Sequence, residues 1–424
     1  MEVARTACGL DVHRSNIAAC LIKTAASGAL EREHRVFSTT LQDLHHLGDW
    51  LRENVCEVVG MEATGSFWQP VYRELEGAMR VVVGNPQHIK AIRGRKTDKA
   101  DAGWIAGKVR EDGIPGSFVP QPEIRELRGI GRLHQNLVND RSRIRNEMMR
   151  LLASAGIPLS SVVTDLFGVS GMAILRRLAE GATAWSDLHA MVRGKIRLKL
   201  DALRLALESP LSEAQRWELK LQLERLDRID DEIEDAEQEL ERRIHPMAQV
   251  RNLIMTIPGF GQLGANLALS EVGADLSSFP TAKHFSAWVG VCPGNHESGG
   301  KRSHTSVRKG NVYLKTLLVE CAHGAARTRG CWLRAKYQQL RRRMDAKKAI
   351  MVVAHKLAIL LFHAIKNGQP YTDPDDHYTP SQGKLRALKK VGILPDQPKT
   401  ELSDPITSGT ASAISGESGP VFSG

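Results

Sequence analysis

Residues 56–65, CEVVGMEATG, read as an apolar strand that ends in an acid, Glu62, and breaks at a turn built from Thr64, Gly65 and Ser66. A buried strand gains nothing from a carboxylate, so an acid at its end is either a turn residue or a working one. Upstream, residues 6–24, TACGLDVHRSNIAACLIKT, give two β-rich runs joined by a short polar turn, with Asp11 at the end of the first, and residues 34–40 give a third extended run. Between them and Glu62 lies LQDLHHLGDWLREN, whose Leu41, Leu44, Leu47 and Leu51 recur at helical spacing. Downstream, a helix to about Met79 precedes RVVVGNP, a strand stopped by Pro86. A further helical segment carries KAIRGRKTDKAD, residues 90–101, so the order is β-β-β-α-β-α-β-α.

In that last segment Asp98 and Asp101 are three positions apart, hence neighbours on one helix face. Lys90, Arg93, Arg95, Lys96 and Lys99 surround them with positive potential that attracts a polyanion. Taken alone, the pair also suits a helix start, Thr97 or Asp98 as cap and Asp101 complementing the dipole. The element order decides between the readings. Three early strands followed by alternating helices and strands is the ribonuclease H-like arrangement, which brings Asp11, Glu62, Asp98 and Asp101 into one cleft. Four acids there repel one another without a cation, and their oxygen donors suit Mg²⁺.

The chain of 424 residues has material for two or three domains, and its 58 Lys and Arg against 48 Asp and Glu leave a net charge of +10. That surplus favours an anionic partner, nucleic acid ahead of a membrane surface. The six cysteines form no C-x-x-C and no His/Cys ligand spacing, which argues against zinc and a disulfide framework and for reduced core thiols. No basic stretch followed by an apolar run opens the chain, and the longest apolar segment, Ala349 to Ala364, is short for a membrane span and carries His355 and Lys356. The expectation is a soluble cytoplasmic protein that does not engage a membrane.

From Gln121 to about Ile157 the pattern is helical and dense in arginine (Arg125, Arg128, Arg132, Arg141, Arg143, Arg145, Arg150), suiting either a solvated face or a nucleic-acid backbone. Further helices fill 163–208. Ser212 opens a Ser-x-x-Gln capping box, and Leu219, Leu226, Ile233 and Leu240 then recur every seven residues, with Ile229 and Ala236 between. Residues 212–243 hold 12 acidic and 6 basic side chains, so this coiled-coil candidate is expected to pair chains rather than grip nucleic acid. IPGFGQLGANLALSEVG, from Ile257, places Pro258, Gly259 and Gly261 between two helices, a helix-hairpin-helix-like turn whose amides could hold phosphate, or a plain helix-helix turn. After TAKHFSAWVG comes a polar, Gly-rich loop, VCPGNHESGGKRSHTSVRKGN. From 298 to 348, 14 Lys and Arg face only Glu320 and Asp345. Helices are expected from Val312 to about Thr328, Trp332 to about Met344 and Lys347 to about Lys366, and disorder beyond about Tyr371.

Together GLDVH, VGMEATG, KTDKAD, IPGFG and GVCPGNHESGGKR resemble the DEDD transposases of the IS110 family of insertion sequences, over roughly residues 7–366. The resemblance implies a RuvC-like N-terminal domain whose metal-binding acids are Asp11, Glu62, Asp98 and Asp101. It implies a C-terminal transposase domain with a nucleophilic serine, which the family's serine-glycine pattern places at Ser298. It further implies a bridge RNA pairing with donor and target DNA, and a homo-oligomer, dimer or tetramer, whose active sites combine domains of different protomers. The chain departs from some relatives in having Gly299-Gly300-Lys301 after the serine and a longer middle region and tail.

The fold expected is α/β plus α: a RuvC-like domain over 1–118, a helical and coiled-coil region over 119–250, a mainly helical transposase domain over 251–371 and a disordered tail over 372–424. The function expected is a Mg²⁺-dependent recombinase in which Ser298 attacks a phosphodiester. Lys301 and Arg302 would hold the attacked phosphate, and Arg95, Lys96, Lys99, Arg308 and Lys309 would contact nucleic acid. Ser303, Thr305 and Ser306 are rival hydroxyls and His296 a proton carrier within reach in sequence. Two other functions fit the sequence: a metal-dependent junction nuclease in which the same acids activate water and Ser298 is structural, and a non-catalytic nucleic-acid binder that uses only the basic surfaces.

Overall fold

The computed structural model describes residues 3–63, 65–85, 98–182, 185, 188–294, 297–298, 301–302 and 307–374. They fall into two compact units, one of Met1–Leu240 with Ser270–Pro280, the other of Glu241–Leu269 with the residues from Thr281 onward. The expected tail over 372–424 lies outside the described residues from 375.

In the first unit β1 (Thr6–Val12), β2 (Asn16–Thr24) and β3 (Leu30–Ser38) form an antiparallel meander. Then follow α1 (Leu41–Glu53), β4 (Val58–Glu62), α2 (Trp68–Leu75), β5 (Arg80–Gly84) and α3 (Asp98–Arg110). β4 and β5 join parallel to β1, giving the sheet order β3-β2-β1-β4-β5 and the ribonuclease H-like succession expected. Helix α2 ends at Leu75, short of Met79, where the chain turns at Gly77, whose φ of +84° favours glycine. Alternation along β1 explains the layering. Cys8, Leu10 and Val12 face α1 and α2, where Leu47, Trp50, Leu51 and Leu75 are buried, while Ala7 and the neighbouring Val58 and Val82 face Ile105 and Val109 of α3. With both faces covered, β1 and β4 are apolar runs, whereas the edge strand β3 is exposed and guarded by charges such as Arg32, Glu33 and Arg35.

Two long helices extend this unit, α4 (Pro122–Ser154) and, after the short α5 (Leu159–Val162), α6 (Val169–Ala179), α7 (Leu188–Met191) and α8 (Leu200–Ala206), α9 (Glu213–Ile244, whose residues from Glu241 belong to the second unit). The capping box forms as read: Gln215 N donates to Ser212 Oγ at 3.2 Å and Ser212 N to Gln215 Oε1 at 3.0 Å. Contacts of His134 with Glu237, Arg141 with Asp230 and Glu147 with Gln222 run in opposite directions along the two helices, so α4 and α9 are antiparallel. The heptad residues Leu219, Leu226, Ile233 and Leu240 are all buried, Leu219 and Leu226 in one cluster with Ile144, Met148 and Leu151. This corrects the dimerisation reading of the seam: the heptads are covered within the chain, and the 119–140 and 213–240 stretches belong to the same unit as the sheet.

The second unit is helical: α10 (Ala248–Thr256), α11 (Gln262–Val272, whose last residues belong to the first unit), α12 (Ala282–Val289), α13 (Val312–Arg327), α14 (Trp332–Arg341) and α15 (Ala346–Asn367). Its centre is α15, whose Ile350, Val353, Leu357, Leu361 and Phe362 are buried at helical spacing, with the fully buried Phe285 ring 5.8 Å from that of Phe362. At 22 residues α15 outruns the apolar segment read from the sequence and is, by length and composition, able to cross a membrane; 56% of its most apolar window is buried inside the protein. Past its end the chain is still tied down. Tyr371 N donates to Thr256 Oγ1 at 2.7 Å, and the buried Asp373 accepts from Trp332 N, at the start of α14, at 3.0 Å.

Candidate functional site

Asp11 and Glu62 end neighbouring parallel strands, one step beyond the paired Leu10 and Met61. The pleat puts Asp11 on the same face as Ala7 and Gly9, and Glu62 on that of Val58 and Gly60, which is the face covered by α3. Helix α3 runs against β1: Ala4 N, before the strand, donates to Arg110 O at the helix's last residue, so the helix's first turn lies at the end where Asp11 and Glu62 sit. Asp101 is in that turn and half-buried, as are Asp11 and Glu62. Asp11 and Glu62 therefore share one face and one end of the sheet, and the first turn of α3, which carries Asp101, lies at that end; of Asp98 the backbone alone is described, as the first residue of α3. The set offers only oxygen donors, which fits a hard divalent cation. Among the described residues no group of three or more His, Cys, Asp or Glu stands ready to hold a metal ion.

The structure adds a residue that the sequence reading passed over. His13 Nε2 lies 3.2 Å from Asp11 Oδ2, with 46% of the His13 side chain and 16% of the Asp11 side chain exposed. The signal was present as Asp-x-His at a strand end, where residues two apart share a face.

Ser298 lies in the second unit, in β6 (Glu297–Ser298), which pairs with β7 (Lys301–Arg302) in the register Ser298–Lys301 and Glu297–Arg302. A bridge between Pro293 and Val307, Arg308 N donating to Cys292 O at 3.1 Å, and Asn311 N donating to Trp288 O at 3.1 Å close the base of this loop. Gly290 (φ +84°) makes the closure possible, since a Cβ there would lie 2.8 Å from Arg308 O and 2.9 Å from Gly310 N. Arg308 and Lys309 are exposed at that base. The expected contacts Arg95 and Lys96, the rival hydroxyls Ser303, Thr305 and Ser306, and His296 lie outside the described residues, and the description of Lys99, Ser298, Lys301 and Arg302 stops at the backbone.

Most arginines of α4 are neither a solvated face nor a free phosphate grip. Arg125 pairs with Glu76 and covers the Tyr72 ring, Arg128 and Arg132 hold the buried Glu271, Arg141 pairs with Asp230, and Arg145 lies over Phe167. The turn after Ile257 is likewise spoken for. Gly259 (φ +93°) packs on α13 so closely that a Cβ would stand 2.2 Å from Cys321 O, and Ile257, Pro258 and Phe260 are buried, so close helix packing explains that glycine without a phosphate. All six cysteines are free and five are buried, Cys292 alone being partly exposed.

Comparison with known proteins supplies the context for this geometry. The profile of a family described as a transposase, the DEDD transposases of IS110 type, matches residues 8–157, and one described as the transposase IS116/IS110/IS902 family matches residues 251–338. A probable family 20 transposase of Pseudomonas aeruginosa is 26% identical over 325 residues, covering 74% of this chain and 85% of the relative. The transposase for insertion sequence element IS1111A of Coxiella burnetii is 25% identical over 327 residues, 74% of this chain and 79% of the relative. Among solved structures, RuvC of Thermus thermophilus aligns with 26% of this chain and 99% of its own, at 15% identity and a TM-score of 0.21. The two family matches bracket the two regions that carry the acids and Ser298, and the chain belongs to the IS110 family of insertion-sequence transposases.

Proposed function

We propose that this transposase exchanges DNA strands through a covalent phosphoserine intermediate formed by Ser298, with Asp11, Glu62, Asp98 and Asp101 holding Mg²⁺. The observation that carries the reading is the position of Ser298 opposite Lys301 in a hairpin, directly before Gly299-Gly300, in the most basic part of the chain. A serine hydroxyl is a weak nucleophile at its own pKa and needs help to lose its proton. Lys301 and Arg302, next in the same hairpin, supply the positive charge that steadies a phosphate under attack. Attack by Ser298 Oγ on phosphorus forms the serine–phosphate bond and breaks the bond to the leaving sugar oxygen, which takes up a proton; reversal onto a new sugar hydroxyl reseals the strand without ATP. When bound to the acids, Mg²⁺ supplies Lewis-acid stabilisation of the oxygens at phosphorus. The four acids form the oxygen cradle, and His13 steadies the Asp11 carboxylate.

Donor and target DNA are the substrates in this reading, an RNA encoded by the element guides their choice, and a homo-oligomer is the working form. The test is strand transfer by purified protein with the element's transcript supplied or withheld. Joining that needs the transcript, and is lost in Ser298→Ala, supports the reading; joining without RNA, or by the Ser298→Ala protein, refutes it.

A further inference from the structure

We infer that Gly9 and Gly60 are positioning residues: together they form the seat that sets α3, and with it Asp98 and Asp101, against Asp11 and Glu62. The inference rests on the reading of those acids as a metal site. Gly9 and Gly60 are directly paired in the parallel register of β1 and β4, two residues before Asp11 and Glu62 respectively, on the same face. A Cβ on Gly9 would lie 2.1 Å from Ala102 O and 2.3 Å from Ala106 N, both main-chain atoms of α3. On Gly60 it would lie 3.0 Å from Ile105 Cγ2 and 3.0 Å from Val109 Cβ. Small residues answer from the helix side, Ala102 and Ala106 being fully buried. The main chain of α3 thus rests on bare strand backbone one residue after Asp101, and any side chain at Gly9 has to push the carboxylate-bearing turn away.

The two positions differ in size of effect. An ordinary carbon–oxygen contact is about 3.4 Å or more, so Gly9→Ala has to move α3 by roughly an ångström, whereas Gly60→Ala asks Ile105 and Val109, whose Cβ moves only with the helix main chain, for a few tenths. Functional groups have to be held within about 0.5 Å of their productive geometry. Gly9→Ala is therefore outside that tolerance and Gly60→Ala near its edge. Gly107 gives an internal control. It lies in the same helix, and a Cβ there meets nothing within 4 Å.

The experiment measures Mn²⁺ binding by electron paramagnetic resonance on the full-length wild type and the Gly9→Ala, Gly60→Ala and Gly107→Ala variants, with circular dichroism for folding and crystal structures of the variants. The expected result is a loss of Mn²⁺ affinity of tenfold or more in Gly9→Ala, a few-fold in Gly60→Ala and none in Gly107→Ala, with Asp101 displaced from Asp11 in the same order. If Gly9→Ala does not fold, Gly60→Ala decides alone. Wild-type affinity in a folded Gly9→Ala or Gly60→Ala variant overturns the inference, as does an unmoved α3. Should the wild type bind no Mn²⁺, the metal reading falls by itself, and the displacement of Asp101 still decides whether the glycines seat the helix.

Discussion

Arg128 grips Glu271 by its main chain, donating to the Glu271 carbonyl from Nε at 2.9 Å and from Nη2 at 2.7 Å, while the Glu271 carboxylate accepts from Arg132 at 2.8 and 3.1 Å. Only 4% of the Glu271 side chain is exposed. Burial pushes the Arg128 guanidinium down to about 10 even though the Glu271 charge opposes the fall. The pair ties α4 to the segment 270–280, which returns to the first unit after the chain has entered the second. Replacing Glu271 by alanine leaves Arg128 its two bonds to the main-chain carbonyl and takes both carboxylate bonds from Arg132, whose side chain is 36% exposed, so the cost falls below the about 3–5 kcal/mol of a fully buried pair broken from one side. Urea unfolding of Glu271→Ala should show a correspondingly lower midpoint with metal binding intact; an unchanged midpoint contradicts the clamp.

The proposed metal ligands give a prediction of the opposite kind. Asp11→Ala, Glu62→Ala, Asp98→Ala and Asp101→Ala should each abolish strand cleavage, because one missing ligand collapses the geometry of a shared metal site. The variants should remain folded. In metal-free buffer their Tm should equal or exceed that of the wild type, since removing one carboxylate relieves repulsion among those left. Cleavage that persists in EDTA, or in all four variants, contradicts the assignment.

His355 on α15 gives a stability prediction with a definite sign. Burial lowers its affinity for a proton, and Lys356 adds to the effect. The folded chain keeps the imidazole neutral at pH values where the unfolded chain has already bound a proton, so the unfolded state binds more protons and stability falls as pH drops below about 6.5, an ordinary histidine value. Below the folded-state pKa the loss is complete. Tm measured from pH 8 to pH 5 should decline, and His355→Gln should flatten the decline; an identical profile in the variant contradicts the argument.

How much of this could be read from the chain alone follows from the range of each interaction. The sheet was legible because Cys8, Leu10 and Val12 alternate with Ala7, Gly9 and Asp11, a period-2 pattern that needs no distant partner. The capping box of Ser212 and Gln215 is equally local. The heptads of α9 showed that a seam exists but not what fills it, since a repeat of leucines fits a second copy or α4 equally well. The destinations of Arg128 and Arg132 depend on Glu271, some 140 residues away, and only an acid within the apolar run LALSEVG hinted at a buried partner. Gly9 and Gly60 read as ordinary strand residues, because their role depends on the helix that comes to rest on them. The Ser298–Lys301 register was within reach, as Gly-Gly between two short runs is a hairpin signal.

The proposed strand exchange turns on Ser298, and the most direct measurement is the mass of the protein–DNA adduct. Wild-type protein incubated with a nicked substrate that cannot religate should form a denaturant-resistant complex, and protease digestion should yield one peptide carrying the nucleotide remnant on Ser298. Ser298→Ala should form no adduct while still binding DNA and metal, because removing one loop hydroxyl disturbs little packing. An adduct mapping to Ser303 or Ser306 would contradict the account, and so would metal-dependent cleavage in the Ser298→Ala protein with no adduct trapped from the wild type.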